Sequence, residues 1–271
     1  MPWLDFLLKK NPVLLWLNAR GFMSNATSPV ALFGRKRMIE RAKQGKPEAP
    51  TGKSQPLDFL SRFQQAAKED PIFLDDRQVL GLTLSSIFAG ADSTAIILRA
   101  IFYFLLKQPS TLAKLMDELH DILVPEDGIV SWNTAHSLPY LTAVIHEALR
   151  MFPAVGIHLE RVVPPAGVDI KGHFIPGGTI IGASAWTIHA KEEIFGKRTE
   201  EFRPERWLEV DEGERKRMEN SLFTFGYGSR VCIGKTVSFL EIYKVVPTLL
   251  LKFDVRLPVS TKFCRRLLIG F

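Results

Sequence analysis

Apolar residues recur at helical spacing along most of the chain, and proline and glycine mark the breaks between the periodic runs. Residues 1–28 are apolar with Trp3, Phe6, Trp16 and Phe22 as aromatic punctuation, and they read either as core or as a surface touching membrane. Residues 29–47 read as a basic amphipathic helix, and residues 48–56, beside Pro47 and holding Pro50, Gly52 and Pro56, as a loop. A short helix is expected over 58–68. The most apolar stretch follows at 75–107, opened by Asp75 and Asp76 and stopped by Pro109. Unbroken, it would run about 50 Å.

Further on, Leu112, Leu115, Met116, Leu119 and Ile122 share one face of a helix over 110–123 that Pro125 ends. Ser137-Leu138-Pro139 opens another, expected over about 138–151 and closed by Pro153. Residues 168–183 read as a hairpin with turns at Gly172 and Pro176-Gly177-Gly178. A last amphipathic run starts at Ile233, with Phe239, Ile242, Tyr243, Val246 and Leu250 on its apolar face, and residues 259–271 look strand-like.

The 75–107 stretch is long enough to cross a membrane. Asp92 and Arg99, with Ser85, Ser86, Ser93 and Thr94, fall near its middle, where charge is costly in lipid, so a buried helix through a large core is the better expectation. No signal peptide is expected: Lys9 and Lys10 follow the first apolar residues, and the run 13–17 is too short. Asn25-Ala26-Thr27 forms a glycosylation sequon by pattern alone.

Composition is that of a globular chain, with 46% hydrophobic and 24% charged residues. The +6 charge gathers at Arg35-Lys36-Arg37 and Arg215-Lys216-Arg217 without interleaved aromatics. That excludes nucleic-acid binding and leaves solvated helix faces or a docking face for an acidic partner or anionic membrane. The two cysteines, Cys232 and Cys264, form no Cys-x-x-Cys pair, which excludes iron–sulfur, zinc and c-type haem attachment. The histidines lack metal-ligand spacing, and His146 and His158 read as hydrogen-bonded core residues.

Cys232 ends a glycine-rich loop that runs directly into the last amphipathic helix. At a helix start the unpaired N–H groups and the helix dipole favour an anion, so a cysteine there is held as thiolate, the form that binds metal. Gly226 and Gly228 can take positive φ and let backbone approach a flat ligand, while Arg230 presents a planar fork suited to a carboxylate. Written out, the pattern is Phe225-x-x-Gly228-x-Arg230-x-Cys232-x-Gly234. At average residue usage it should arise by chance in about one chain of this length in ten thousand. It resembles the haem-binding loop of the cytochrome P-450 family, the haem-thiolate monooxygenases.

Three further stretches follow the family's order. Ala89-Gly90-Ala91-Asp92-Ser93-Thr94 resembles the motif of the helix above the haem; Asp92 matches the acid, and the usual threonine falls on Ser93 with Thr94 next. Glu147-Ala148-Leu149-Arg150 matches the family's Glu-x-x-Arg; of the chain's four such spacings, at Glu147, Glu200, Glu212 and Glu214, only the first lies in an apolar-periodic helix. Phe202-Arg203-Pro204-Glu205-Arg206-Trp207 resembles the second signature, whose arginine, here Arg206, joins Glu147 and Arg150 in a buried network bracing the haem loop.

The resemblance spans about residues 29–258 and implies one partial domain over 1–271: the C-terminal, haem-binding half of the fold, mainly α with a small β region, similar to fungal microsomal members. The distal helix is expected at about 75–107, the Glu-x-x-Arg helix at about 138–151 and the thiolate loop at 225–234. It further implies haem b, bound non-covalently, with Cys232 as metal ligand. Phe225, Gly226, Gly228, Arg230, Gly234, Ala89, Gly90 and Arg161 would line the cofactor, Arg161 beside a propionate. Asp92 with Ser93 or Thr94 would deliver protons. The implied activity is insertion of one oxygen atom from O2 into a small apolar organic substrate, with electrons from an NADPH-dependent reductase, at the cytoplasmic face of the endoplasmic reticulum. The alternative is a truncated remnant, or a haem-binding protein without turnover.

Overall fold

The computed structural model describes residues 29–44 and 58–257. The sequon, the apolar stretch 1–28, the 48–56 loop, the strand-like end and Cys264 lie outside the described residues. The described residues fall into two compact units divided after Ala89.

In the first unit, α1 (Pro29–Gln44) and α2 (Phe59–Glu69) precede the start of α3 (Asp76–Lys107). Asp58 caps α2 by accepting from Ser61 N–H at 2.8 Å. At the head of α3, Asp75 Oδ1 accepts from Gln78 N–H at 2.8 Å while Gln78 Oε1 accepts from Asp75 N–H at 2.7 Å, a reciprocal capping box. Gly34 is buried where α1 rests closely on α3; a side chain there would meet the Leu84 and Leu80 methyls at 3.0 and 3.3 Å. Gln64 Nε2 donates to Met38 O at 3.3 Å and ties α2 to α1.

The second unit holds the rest of α3 and then α4 (Pro109–His120), α5 (Trp132–His136), α6 (Pro139–Met151), α7 (Ala185–His189), α8 (Glu192–Phe195), α9 (Glu212–Ser221) and α10 (Lys235–Lys252). Its core gathers Ile97, Ile101 and Leu105 of α3 with Leu115 and Leu119 of α4, Leu141, Ile145 and Leu149 of α6, and Ile242 and Val246 of α10. Pro139 opens α6 where no N–H is needed, and the next two amides, of Tyr140 and Leu141, both donate to the Glu118 carboxylate of α4 at 2.8 Å.

The expected single hairpin is two separate ladders. Strand β2 (Val168–Ile170) pairs antiparallel with β3 (His173–Ile175), and β1 (Leu159–Val162) pairs with β4 (Ile180–Ala183). Lys171 and Gly172 both take positive φ, 51° and 82°, which suits the two-residue turn of β2–β3. The Pro176-Gly177-Gly178 turn instead carries the chain back to β1, with Gly178 N–H donating to Val163 O at 2.9 Å.

Burial of α3 differs from expectation. By length and composition it could cross a membrane, but only 28% of its most apolar 18-residue window is buried here. Burial follows one stripe, Thr94, Ile97, Ile101 and Leu105, whose spacing matches the helical period, whereas Ser85, Ser86, Phe88, Gly90 and Asp92 are exposed.

At the centre of the second unit sits Glu147, with no exposed surface. Its Oε1 accepts from Arg150 Nη2 at 2.8 Å, Arg206 Nε at 2.8 Å and Arg203 N–H at 2.9 Å. Its Oε2 accepts from Arg150 Nε and Trp207 Nε1, both at 2.9 Å. The arginines spend their remaining donors on carbonyls: Arg150 on His189 and Glu201, and Arg206 on Phe195, Lys197, Arg198 and Glu201. The expected buried network is therefore present. Glu147→Gln strands two buried guanidinium charges, and Arg206→Ala leaves a cavity and buried carbonyls without donors, so either should lower unfolding free energy by roughly 3–5 kcal/mol. Urea denaturation measures this; a loss below about 1 kcal/mol would show the charges are not coupled.

Candidate functional site

The cysteine loop leaves α9 and is tied at once to α6 and α7. Thr224 Oγ1–H donates to Leu149 O at 2.8 Å, and Phe223 N–H donates to His189 Nε2 at 2.8 Å. Gly226 takes φ 71° and is buried; a side chain there would press on Leu159 Cδ1 of β1 at 3.3 Å. Gly228 takes φ 72° and begins a short 3-10 turn ending at Arg230. The loop closes where Cys232 N–H donates to Phe225 O at 2.8 Å. Gly234 then serves as N-cap of α10.

Cys232 is a free, exposed thiol at the head of an 18-residue helix. Phe225 packs inward on Phe239, with ring centroids 5.3 Å apart, and Lys235 Nζ lies 5.8 Å from the Phe225 ring centre. Arg230 is exposed and has no hydrogen-bond or ion-pair partner among the described residues. Arg161 is exposed on β1 and donates to Glu160 O at 2.7 Å. Leu159 of the same strand is the residue that meets Gly226.

Phe225, Gly226, Gly228, Arg230, Cys232 and Gly234 thus share one loop, and Leu159 brings the strand of Arg161 against it. On α3, Ala89, Gly90 and Asp92 are exposed, Ser93 is half-buried and Thr94 is buried. Thr94 Oγ1 has no hydrogen-bond partner among the described residues, and the residue lies in line with the core stripe Ile97–Ile101–Leu105. The two candidate hydroxyls therefore face different surroundings.

The histidines divide differently from expectation. His146 is largely enclosed beside the Trp207 ring, 5.1 Å between centroids, but its ring makes no hydrogen bond among the described residues, with Glu219 Oε1 4.0 Å from Nδ1. His158 is exposed instead, because the chain around it, residues 155–160, has left α6 and runs over the surface into β1. His189, which the sequence did not single out, is buried and hydrogen-bonded on both ring nitrogens. Nothing in its local pattern marks it, since its partners are 39 and 34 residues away.

Among the described residues no three His, Cys, Asp or Glu side chains are grouped to hold a metal ion. A single soft thiolate cannot retain a bare cation, and it suits a metal that arrives with its other ligands already in place, as in haem. A free thiol, an arginine with no partner among the described residues and two positive-φ glycines fit such a group.

The profile of the family described as Cytochrome P450 matches residues 7–267. The chain belongs to the cytochrome P450 family. It is 44% identical over 261 residues to a cytochrome P450 monooxygenase of Aspergillus terreus, covering 94% of this chain and 51% of that protein. It is 41% identical over 265 residues to cytochrome P450 monooxygenase cicH of Emericella nidulans, covering 97% and 51%. Against mfmA of Annulohypoxylon moriforme the identity is 38% over 266 residues, again 97% and 51%. The P450 chain here thus spans about half the length of these curated relatives, all of them fungal.

Two stability predictions arise. Thr94→Val keeps the shape of the side chain and removes an unpaired buried hydroxyl, so it should raise unfolding free energy by about 1 kcal/mol; a lower urea midpoint would show the hydroxyl is bonded. Burial pushes the pKa of His146 and His189 from 6.5 down to about 4. Between those values the unfolded chain takes up protons that the folded chain refuses. Stability should be full above pH 6.5 and decline toward pH 4, by on the order of 3 kcal/mol per histidine. Urea midpoints at pH 7.5 and 4.5 check this, with His146→Phe expected to flatten part of the slope.

Proposed function

We propose that this chain carries the haem-thiolate part of a P450 monooxygenase that inserts one oxygen atom from O2 into a small apolar organic substrate. The observation that carries the reading is Cys232: one free, exposed thiol on a positive-φ glycine loop at the head of α10, with no competing metal-ligand cluster among the described residues. Haem b supplies the iron at which oxygen chemistry takes place. Cys232 would hold the iron through its sulfur, at the head of α10 where the helix dipole favours an anion. Gly226 and Gly228 permit the close turn that presents it. Arg230, whose fork has no partner among the described residues, and Arg161 would bind the propionate carboxylates.

On α3, Ala89 and Gly90 present little side-chain bulk to a flat ligand. Asp92, exposed on α3, and the Ser93 hydroxyl would serve proton delivery on this side of the haem. The buried position of Thr94 supports giving that task to Ser93. The same reading has electrons delivered by an NADPH-dependent reductase at the cytoplasmic face of the endoplasmic reticulum, with membrane contact near residues 1–28. It treats residues 1–271 as one partial P450 domain.

A second reading, haem binding without efficient turnover, is favoured by exposure around the loop: Tyr227 is 73% exposed and Ile233 fully so. Exposed side chains beside Cys232 would let water reach the loop. Reduction under CO tests the ligand: parent and Cys264→Ala should give the red-shifted band of thiolate-ligated haem, and Cys232→Ala should lose it. Persistence of the band in Cys232→Ala would end the proposal. A reductase-coupled product assay on the same protein separates the two readings.

A further inference from the structure

His189 closes α7 and is 2% exposed. Its Nδ1 lies 2.8 Å from Arg150 O, and its Nε2 lies 2.8 Å from Phe223 N. A carbonyl oxygen only accepts and an amide N–H only donates, so the ring must carry its proton on Nδ1 and a lone pair on Nε2. Arg150 is held at both ends, since its guanidinium donates to His189 O at 3.0 Å while its own carbonyl accepts from the ring. Phe195 packs edge-on to the ring at 5.7 Å. Burial keeps the imidazole neutral at pH 7, with its pKa near 4. Phe225, next but one after Phe223, receives Cys232 N–H on its carbonyl at 2.8 Å.

We propose that His189 is a positioning residue for the Cys232 loop: its Nδ1–H tautomer bridges the last turn of the Glu147 helix to Phe223 and fixes where the loop leaves the protein body. Its consequence for the metal ligand rests on the haem-thiolate reading above, whereas the bridge itself stands on the hydrogen bonds alone. The side chain acts through Phe223 and touches no candidate ligand.

Two substitutions divide its two bonds. In His189→Gln the side-chain carbonyl can occupy the Nε2 position and accept from Phe223 N–H, while the bond to Arg150 O is lost. In His189→Asn the side-chain N–H can occupy the Nδ1 position and donate to Arg150 O, while the acceptor is lost. In the full chain, 15N shifts of the His189 ring should report the Nδ1–H tautomer. Amide exchange at Phe223 should quicken roughly tenfold in His189→Asn, the value of one buried hydrogen bond, and stay near the parent rate in His189→Gln. The haem-loaded Asn variant alone should lose part of the red-shifted CO band. The opposite tautomer, equal Phe223 protection in all three proteins, or a uniform loss of protection at every amide would each overturn the proposal. Retention of the CO band in Cys232→Ala would sink the haem reading and leave the bridge standing.

Discussion

One carboxylate, that of Glu147, sets the terms for much of the second unit. It is removed from water entirely, so every lone pair needs a donor, and five hydrogen bonds supply them. Two arginines around one acid leave a surplus positive charge. Backbone carbonyls of residues 189–201 absorb it by accepting the remaining guanidinium hydrogens. That stretch has little regular structure of its own, with α7 and α8 only five and four residues long. Its peptide groups find partners in side chains instead of a helix or sheet ladder. Replacing the set by apolar residues would fill the volume but release this segment.

The same arrangement reaches the cysteine. Leu149 and Arg150 end the Glu147 helix, and their carbonyls accept from Thr224 and, through its imidazole N–H, from His189, which in turn receives Phe223. A loop that holds Cys232 at a fixed place cannot depend on its glycines, which give freedom and no rigidity. Rigidity enters from its two ends: the hydrogen bonds at Phe223 and Thr224 on one side and α10 on the other. Second-sphere bonding of this kind commonly governs how well a ligand is oriented.

Helices were legible where burial follows one stripe. The residues expected to start and stop α2, α3 and α6 lie within a residue or two of the observed ends, because Asp58, Asp75 and Pro139 act locally through their own caps. The network was legible only through family likeness, since no periodicity links Glu147 to Arg206, 59 residues on. The β region was misread because the two ladders nest, and the pairing of β1 with β4 is set by a turn whose partner lies outside it. Burial along α3 was overstated, since apolar content does not say which neighbours cover it. The two hydroxyls at Ser93 and Thr94 parted only once the core stripe was seen. His189 left no trace in sequence because both of its partners are backbone groups, which any residue can supply.

The cap of α6 bears on the order in which the chain assembles. An isolated helix start normally finds its acceptor within its own sequence, so nucleation is a local event. Here Pro139 brings no N–H, Leu138 makes no side-chain bond, and the first two amides find their acceptor on α4, 22 and 23 residues away. The opening turn of α6 is therefore completed by docking against α4 and not by propensity alone. Formation of the helix that carries Glu147 becomes contingent on a helix pair, and the pair acts as a single cooperative unit. Loosening α4, for instance at Glu118, would delay every later step that waits for the Glu147 carboxylate to be in place.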